Sequence, residues 1–256
     1  MESQAIERNG IRLHGLWRPG RGDPIMVIPG VMADAESFAP VVEAITRPEP
    51  VLILDRRGRS SSGPLGDEYS ISTEVDDVTA WIDHFAGPVT LVGWSYGATI
   101  ALEVAASNGQ VKGVVGYEPV LGPFGLNVLP ELRNADLARR VEIINLDVSL
   151  IPQQQVEALK STAAWPVLCR LSEPLPEELT ALNAFQPSSG WSNVAAELIL
   201  GEDNFAVEPY GPAFERVRRH LPRSRTTMLP DQGHLAHAND PASLGKLISC
   251  LIETSR

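Results

Sequence analysis

Residues 89–106 read VTLVGWSYGATIALEVAA, and this stretch decides the fold. An apolar run leads into Gly93-Trp94-Ser95-Tyr96-Gly97, and the residues that follow have helical character. This is Gly-x-Ser-x-Gly between a predicted strand and a predicted helix, the setting that a nucleophile elbow requires. In so tight a turn, side chains at Gly93 and Gly97 would collide with neighbouring backbone. The pattern predicts that the Ser95 hydroxyl projects beyond the sheet edge, beside the unpaired first amides of the helix.

The bulk composition is that of an ordinary globular protein. Its 256 residues, 43% hydrophobic and 21% charged, suffice for one large α/β domain or a domain with an insertion. A net charge of −11 gives no reason to bind nucleic acid or an anionic membrane surface. No apolar run approaches the roughly 20 residues that span a bilayer, and no signal peptide is visible. The two cysteines are far apart and read as reduced thiols, so we expect a cytoplasmic enzyme.

Short apolar runs alternate with amphipathic segments along most of the chain. Asn9-Gly10 predicts a hairpin between 5–8 and 11–17. The remaining predicted strands are 24–28, 51–54, 111–117, 195–200 and 225–229, in addition to the one at 89–92. Helices are predicted at 36–46, 208–220 and 240–253. Two more are predicted: one begins at the N-cap Ser72 and ends near Phe85, and the other follows the elbow. This alternation indicates a parallel sheet covered on both faces, with ligands at the carboxyl ends of its strands.

Residues 120–192 break the alternation. They hold many prolines and helix-like pieces near 134–147, 152–163 and 175–185, but no strong β pattern. Because leucine, valine and tryptophan are spread through them, they read as a helical insertion and not as a linker.

Taken together, these features resemble the α/β-hydrolase superfamily over essentially the whole chain. The resemblance rests on Ile28-Pro29-Gly30, the 55–60 segment DRRGRS, the elbow, and Gly233-His234. It implies an α/β fold with a mostly parallel eight-stranded sheet flanked by helices. It further implies a core domain of residues 1–119 and 193–256, and a helical cap of residues 120–192 inserted after the sixth strand. A serine–acid–histidine triad in that chain order is also implied.

A serine hydroxyl needs a base to take its proton and donors to hold the oxyanion. His234, in the loop after a predicted strand, matches the catalytic histidine of the family, and His237 is its rival three residues on. The other histidines fall in the predicted hairpin or in helices, where a packing or surface role is expected: His14, His84 and His220.

The oxyanion donors should be two backbone amides. One is Tyr96, directly after the nucleophile, and the other is Val31, in the loop after the strand at 24–28. The family often has His-Gly before this donor where this chain has Pro29-Gly30, a departure that leaves the backbone amide in place.

The acid has two candidates. The usual family position follows the strand at 195–200, where counting from Gly201 gives Asn204, which carries no charge, and Asp203 lies one residue early. The alternative is Glu118, at the end of the strand after the elbow helix. Zearalenone-type lactone hydrolases take their acid from that place, in a segment that resembles Glu118-Pro119. We favour Glu118, since a carboxylate at the end of a buried strand is costly without a partner.

The resemblance and the tryptophans favour a serine-dependent hydrolase of a carboxylic ester or lactone. Trp94, Trp165 and Trp191 are predicted to line a pocket for a medium-sized apolar or ring-shaped substrate. Two other readings stay open: a ligand receptor with little turnover, and a lyase or cofactor-free oxygenase on the same fold. Serine at the elbow argues against the aspartate-dependent enzymes of this fold. No cofactor or metal site is predicted, the expected partner is a small molecule, and a homodimer is left open.

Overall fold

The computed structural model describes residues 1–254 and contains one mixed sheet of eight strands in the order β1-β2-β4-β3-β5-β6-β7-β8. The pairs β1–β2 and β2–β4 are antiparallel and the others are parallel, as the resemblance predicts. The strands are β1 (Glu2–Arg8), β2 (Ile11–Arg18), β3 (Ile25–Ile28), β4 (Val51–Asp55), β5 (Val89–Trp94), β6 (Val111–Tyr117), β7 (Ala196–Gly201) and β8 (Arg225–Leu229).

Helices cover both faces of the sheet and form two apolar cores. On one face α1 and α11 pack together, and on the other α2, α3 and α9 contribute to the larger core. The helices of the core are α1 (Ala35–Ala44), α2 (Ile71–Phe85), α3 (Tyr96–Ser107), α9 (Tyr210–His220), α10 (Ala236–Asn239) and α11 (Pro241–Thr254). With both faces covered, the carboxyl ends of the parallel strands form the edge where the candidate site residues gather.

The hairpin at the start of the chain is present, and its turn explains the sequence. Asn9 and Gly10 both have positive φ, 50° and 75°, as a two-residue type I′ turn requires. The start of α2 differs from the prediction. Its N-cap is Ser70 and not Ser72, because Ser70 and Thr73 bond each other's backbone amides reciprocally.

The segment 120–192 is helical, as expected, but its helices are more numerous than predicted. They are α4 (Leu129–Asn134), α5 (Leu137–Ile143), α6 (Gln153–Leu159), α7 (Ala164–Leu171) and α8 (Leu175–Ala184), with a π-helical turn at Ile144–Val148. Helix α7 falls between two of the predicted pieces, and its Pro166 lies in the first turn, where proline is tolerated. Buried leucines of this insertion join the larger core. Its treatment as a separate domain stays a prediction.

Candidate active site

The turn between β5 and α3 has the sharp geometry that the sequence predicts. Ser95 joins strand to helix with φ 55° and ψ −121°, a strained combination for a residue with a side chain. A Cβ on Gly97 would lie 2.0 Å from the Ile28 carbonyl oxygen, and one on Gly93 would lie 2.4 Å from the Ala98 Cα. No side chain fits at either glycine, so the close approach of β3, β5 and α3 depends on both. Ser95 is only 3% exposed.

His234 and Glu118 meet at the carboxyl edge of the sheet. The Nδ1 of His234 is 2.6 Å from the Oε2 of Glu118, and both side chains are buried. Because the carboxylate accepts the Nδ1 proton, Nε2 is left as the basic nitrogen of the neutral ring. Trp94, the residue before Ser95, donates its indole N–H to the His234 carbonyl oxygen over 2.9 Å. The loop of His234 is thus fastened to the elbow.

Glu118 is held by more than the imidazole. Its Oε1 accepts the Gly201 amide at 2.8 Å, and the Asn204 side-chain amide lies 3.0 Å from Oε1 and 2.8 Å from Oε2. Its backbone has φ 43°, so the chain turns sharply where β6 ends. Asp203 is exposed, and its backbone amide bonds the Gln232 carbonyl at 3.1 Å. The structure therefore brings Glu118, and not Asp203, against His234, while Asn204 supports the carboxylate.

One aromatic ring that the sequence analysis missed lies flat against His234. Tyr210, in the first turn of α9, stacks on the imidazole with ring centroids 3.7 Å apart and an interplanar angle of 14°. Its hydroxyl is 2.7 Å from the Oγ of Ser149 in the insertion. The Tyr117 hydroxyl also donates to the Gly233 carbonyl oxygen. The sequence offered one indication that Tyr210 lies near the site, namely that α9 begins shortly after the carboxyl end of β7.

His237 packs against Phe38 and Trp94, while it is His234 that bonds the carboxylate of Glu118. Its ring stacks on Phe38, with centroids 4.9 Å apart, and its centroid is 4.1 Å from that of Trp94. Burial, with a smaller contribution from the charge of His234, lowers the pKa of His237 to about 3. A ring that stays neutral in this apolar setting is suited to packing and is a poor proton acceptor at neutral pH.

The two predicted oxyanion donors are the Tyr96 amide, within the elbow, and the Val31 amide, in the loop after β3. Arg56 donates from Nε to the Pro29 carbonyl and from Nη2 to the Gly30 carbonyl, each over 2.8 Å. Since the C=O and N–H of a trans peptide point in opposite directions, the Val31 amide points away from Arg56. A Cβ on Gly30 would lie 3.0 Å from the Cβ of Ser95, so this loop borders the serine closely. Within residues 1–254, neither the Val31 nor the Tyr96 amide donates to a protein acceptor.

A buried cluster of charges supports this loop from behind. Arg56 lies 2.7 Å from Glu74 and 2.6 Å from Glu178, and its guanidinium is 4.9 Å from the centroid of the Tyr96 ring. Burial alone would lower the pKa of Arg56, but Glu178 and Glu74 raise it well above its ordinary value. Glu178 belongs to α8 of the insertion and also pairs with Arg59 at 2.7 Å. The cation is therefore permanent, and it joins the loop of Pro29 and Gly30 to the insertion.

The three tryptophans lie in different places. Trp94 is buried beside His234, with ring centroids 5.0 Å apart. Trp165 is half-buried on α7, where the Lys160 ammonium lies 5.9 Å from its ring centroid. Trp191 is 1% exposed and donates its indole N–H to Glu103 over 2.6 Å. Glu103 lies about two helical turns beyond Ser95 along α3. The structure thus brings Trp94, but not Trp191, to the elbow.

A family model described as the alpha/beta hydrolase family matches residues 13–244, which include the elbow and His234. The chain belongs to the alpha/beta hydrolase family. That membership confirms the predicted superfamily and supports hydrolysis as the general class of its chemistry. Among residues 1–254, every helix is too short or too polar to span a lipid bilayer.

Among curated proteins, this alpha/beta hydrolase is similar to an N-formylmaleamate deformylase from Pseudomonas putida, with 33% identity over 123 residues, 46% of each chain. It is also similar to an (E)-2-((N-methylformamido)methylene)succinate hydrolase from Acinetobacter baylyi, with 29% identity over 42% of this chain and 41% of that protein. The matched region thus covers less than half the length of each of these two relatives.

Solved structures share the fold over nearly the full chain. An enol-lactonase from Burkholderia xenovorans has a TM-score of 0.79 and 17% identity, covering 98% of this chain and all of that one. An alpha/beta hydrolase from Sphaerobacter thermophilus also has a TM-score of 0.79, with 21% identity over 97% of this chain and all of that one. At these identities the likeness concerns the architecture alone.

Proposed function

We propose that this alpha/beta hydrolase cleaves a carboxylic ester or lactone of a medium-sized substrate through an acyl-enzyme intermediate. The observation that carries the proposal is the 2.6 Å contact between His234 and Glu118 beside the elbow of Ser95. A nucleophile on a strained turn, a base oriented by a buried acid, and two unpaired amides are the parts that acyl transfer needs.

The proposed reaction uses each part once. Ser95 Oγ attacks the carbonyl carbon while its proton moves to Nε2 of His234, and Glu118 stabilises the imidazolium. The amides of Tyr96 and Val31 hold the oxyanion, each contributing on the order of 3 kcal/mol to the transition state. His234 then protonates the leaving oxygen. A water molecule, deprotonated by the same ring, releases the acyl group.

A second candidate substrate class comes from the curated relatives. Two of them are named for the hydrolysis of formamide-type compounds. The same serine, base and oxyanion donors would serve a formyl amide, with the leaving nitrogen taking the proton from His234. The cytoplasmic location, the small-molecule partner and the lack of a cofactor stay predictions from the sequence, and a homodimer stays open.

The test is turnover of a panel of aryl esters, lactones and N-formyl amides by the wild type and by Ser95→Ala. We expect multiple turnovers on an ester or lactone and a loss of kcat/KM of at least about 10³-fold in Ser95→Ala. The matched control is Ser107→Ala, at the exposed far end of the same helix, which should change little. Binding without turnover would instead favour a receptor. Activity that requires oxygen would favour a cofactor-free oxygenase, and activity retained in Ser95→Ala would exclude the proposed nucleophile.

A further inference from the structure

A second serine–histidine–aspartate row lies across β1, β2 and β4, outside the site of Ser95. The Oγ of Ser3 is 2.7 Å from Nε2 of His14, and Nδ1 of His14 is 2.6 Å from Oδ2 of Asp55. Strand register explains the row, since His14 pairs with Ala5 on one side and with Asp55 on the other. Ser3 lies two residues before Ala5 and therefore on the same face as His14, within diagonal reach.

The hydrogen bonds set the direction in which a proton can move along this row. Asp55 is buried, and its other oxygen, Oδ1, accepts the Ala35 amide at 2.8 Å. With Oδ2 accepting from Nδ1, the neutral ring of His14 presents the lone pair of Nε2 to the hydroxyl of Ser3. His14 is 6% exposed, whereas Ser3 is exposed on the edge strand of the sheet. A hydroxyl accessible to solvent thus donates to a shielded imidazole that a carboxylate orients.

We propose that Ser3 is a second nucleophilic serine, a covalent modification site for small activated acyl esters. In the step, Oγ of Ser3 bonds to the carbonyl carbon of an aryl ester as its proton passes to Nε2 of His14. The bond from that carbon to the aryl oxygen then breaks, and the departing oxygen takes the proton from His14. The products are an ester on Ser3 and a phenol, and His14 is regenerated. This assignment is independent of the role proposed for Ser95.

The position of Ser3 makes it an acceptor and not a centre of turnover. Ser3 is inside β1 and does not precede a helix, so no helix N-terminus offers amides to an oxyanion there. Each missing oxyanion donor costs on the order of 10²–10³ in rate. A general base alone, here His14, accelerates such a reaction by about 10²–10⁴-fold. The ester on Ser3 should therefore form faster than on an unassisted serine and then persist.

The experiment uses full-length Ser95→Ala protein, in which the elbow serine cannot compete, treated with p-nitrophenyl acetate at neutral pH. Trypsin releases residues 1–8, in which Ser3 is the only serine, and residues 226–246, in which Ser243 is the only serine. Ser243 is exposed and lies beside Asp240 without an imidazole, so it is the internal control. We expect Ser3 to acquire acetyl at least about 100-fold faster than Ser243, measured by tandem mass spectrometry.

Two further measurements make the result decisive. Hydroxylamine removes acetyl from a serine ester but not from the amine of Met1, which separates the two positions in the same peptide. In Ser95→Ala/His14→Gln, the acetylation rate of Ser3 should fall to that of Ser243, with folding checked by circular dichroism and melting. The proposal is overturned if Ser3 reacts no faster than Ser243, or if folded His14→Gln protein reacts as fast as its parent. Should that variant fail to fold, the ratio of Ser3 to Ser243 decides alone.

Discussion

The ring of Tyr210 lies parallel to the imidazole of His234, with 3.7 Å between the ring centroids. Tyr210 belongs to α9, and its hydroxyl meets Ser149 in the insertion at 2.7 Å. The orientation of His234 thus depends on a flat aromatic contact as well as on Glu118. Stacked pairs of this kind contribute about 0.5–1.5 kcal/mol beyond the area they bury.

Removing this stack should lower kcat. We expect Tyr210→Leu to reduce kcat up to about 10-fold, because the imidazole of His234 loses the stacked ring but keeps its bond to Glu118. Tyr210→Phe keeps the ring and should stay within about 3-fold of the wild type, and Ser149→Ala should behave like it. Steady-state kinetics on the best ester of the panel measure kcat for all three variants. An equal loss in the Phe and Leu variants would mean that the hydroxyl contact, and not the stack, positions His234.

The choice of acid can be tested with two isosteric changes. Glu118→Gln should lower kcat by on the order of 10⁴, because an amide cannot stabilise the imidazolium and favours the wrong tautomer. Asp203→Asn should stay within about 3-fold, since Asp203 is exposed and its contact is made by the backbone. Asp203→Asn should melt near the wild-type temperature, whereas Glu118→Gln should melt lower, because its amide nitrogen faces donors that the buried carboxylate accepts, so circular dichroism must show that this variant is folded at the assay temperature. A larger loss in Asp203→Asn than in Glu118→Gln would reverse the proposed assignment.

The charge cluster around Arg56 should matter for stability. Glu74→Gln removes the carboxylate that lies 2.7 Å from Arg56 and 2.6 Å from the Tyr69 hydroxyl, both side chains of the ion pair being almost fully buried. We expect a loss of about 3–5 kcal/mol in the free energy of unfolding, the cost of leaving a buried cation short of a partner. Urea denaturation measures it.

A matched control comes from an exposed ion pair. Glu215→Gln breaks the 3.0 Å contact with Arg218 on α9, where both side chains face solvent. This change should cost less than about 0.5 kcal/mol. Equal losses in the two variants would show that the Arg56 cluster is screened by water.

His237 should make the fold sensitive to acid. Its pKa in the fold is about 3, against 6.5 for a free histidine, so the unfolded chain binds a proton that the folded chain refuses. The resulting stability is present above about pH 6.5 and is lost progressively as pH falls towards 3, by about 2 kcal/mol at pH 5. In His237→Phe the free energy of unfolding should fall less steeply between pH 6.5 and pH 5. The measurement is the free energy of unfolding at pH 7 and pH 5, with ring NMR signals that do not titrate between pH 5 and 8 as a second check.

The strands and the elbow could be predicted because their signals are local. Apolar runs that end in loops, and the glycines on both sides of Ser95, require only steric and periodic arguments. The acid could be narrowed to two candidates but not to one. Which carboxylate reaches His234 depends on the turn at Glu118, with its positive φ, and on the amide of Asn204 from another strand end.

Contacts between distant segments were beyond the sequence argument. Nothing near Tyr210 in the chain indicates that its ring reaches an imidazole 24 positions on, and Trp191 was placed in a pocket although its indole is bound to Glu103. The sequence does not reveal the contact of Ser3 with His14, because the distance from a serine to a histidine on a neighbouring strand depends on register. Side-chain packing between separate elements decides the first two contacts, and strand pairing decides the third.

Arg56 is shared between two parts of the chain, since its guanidinium holds the Pro29 and Gly30 carbonyls and also reaches Glu178 of α8. Exchanging residues 120–192 for the corresponding segment of another hydrolase would therefore alter more than the walls around a substrate. A graft that lacks a carboxylate in the place of Glu178 would leave a buried guanidinium half-neutralised beside the backbone on which the proposed anion binding depends. Chimeras of this protein should be chosen by that one acidic position before the shape of the graft is considered.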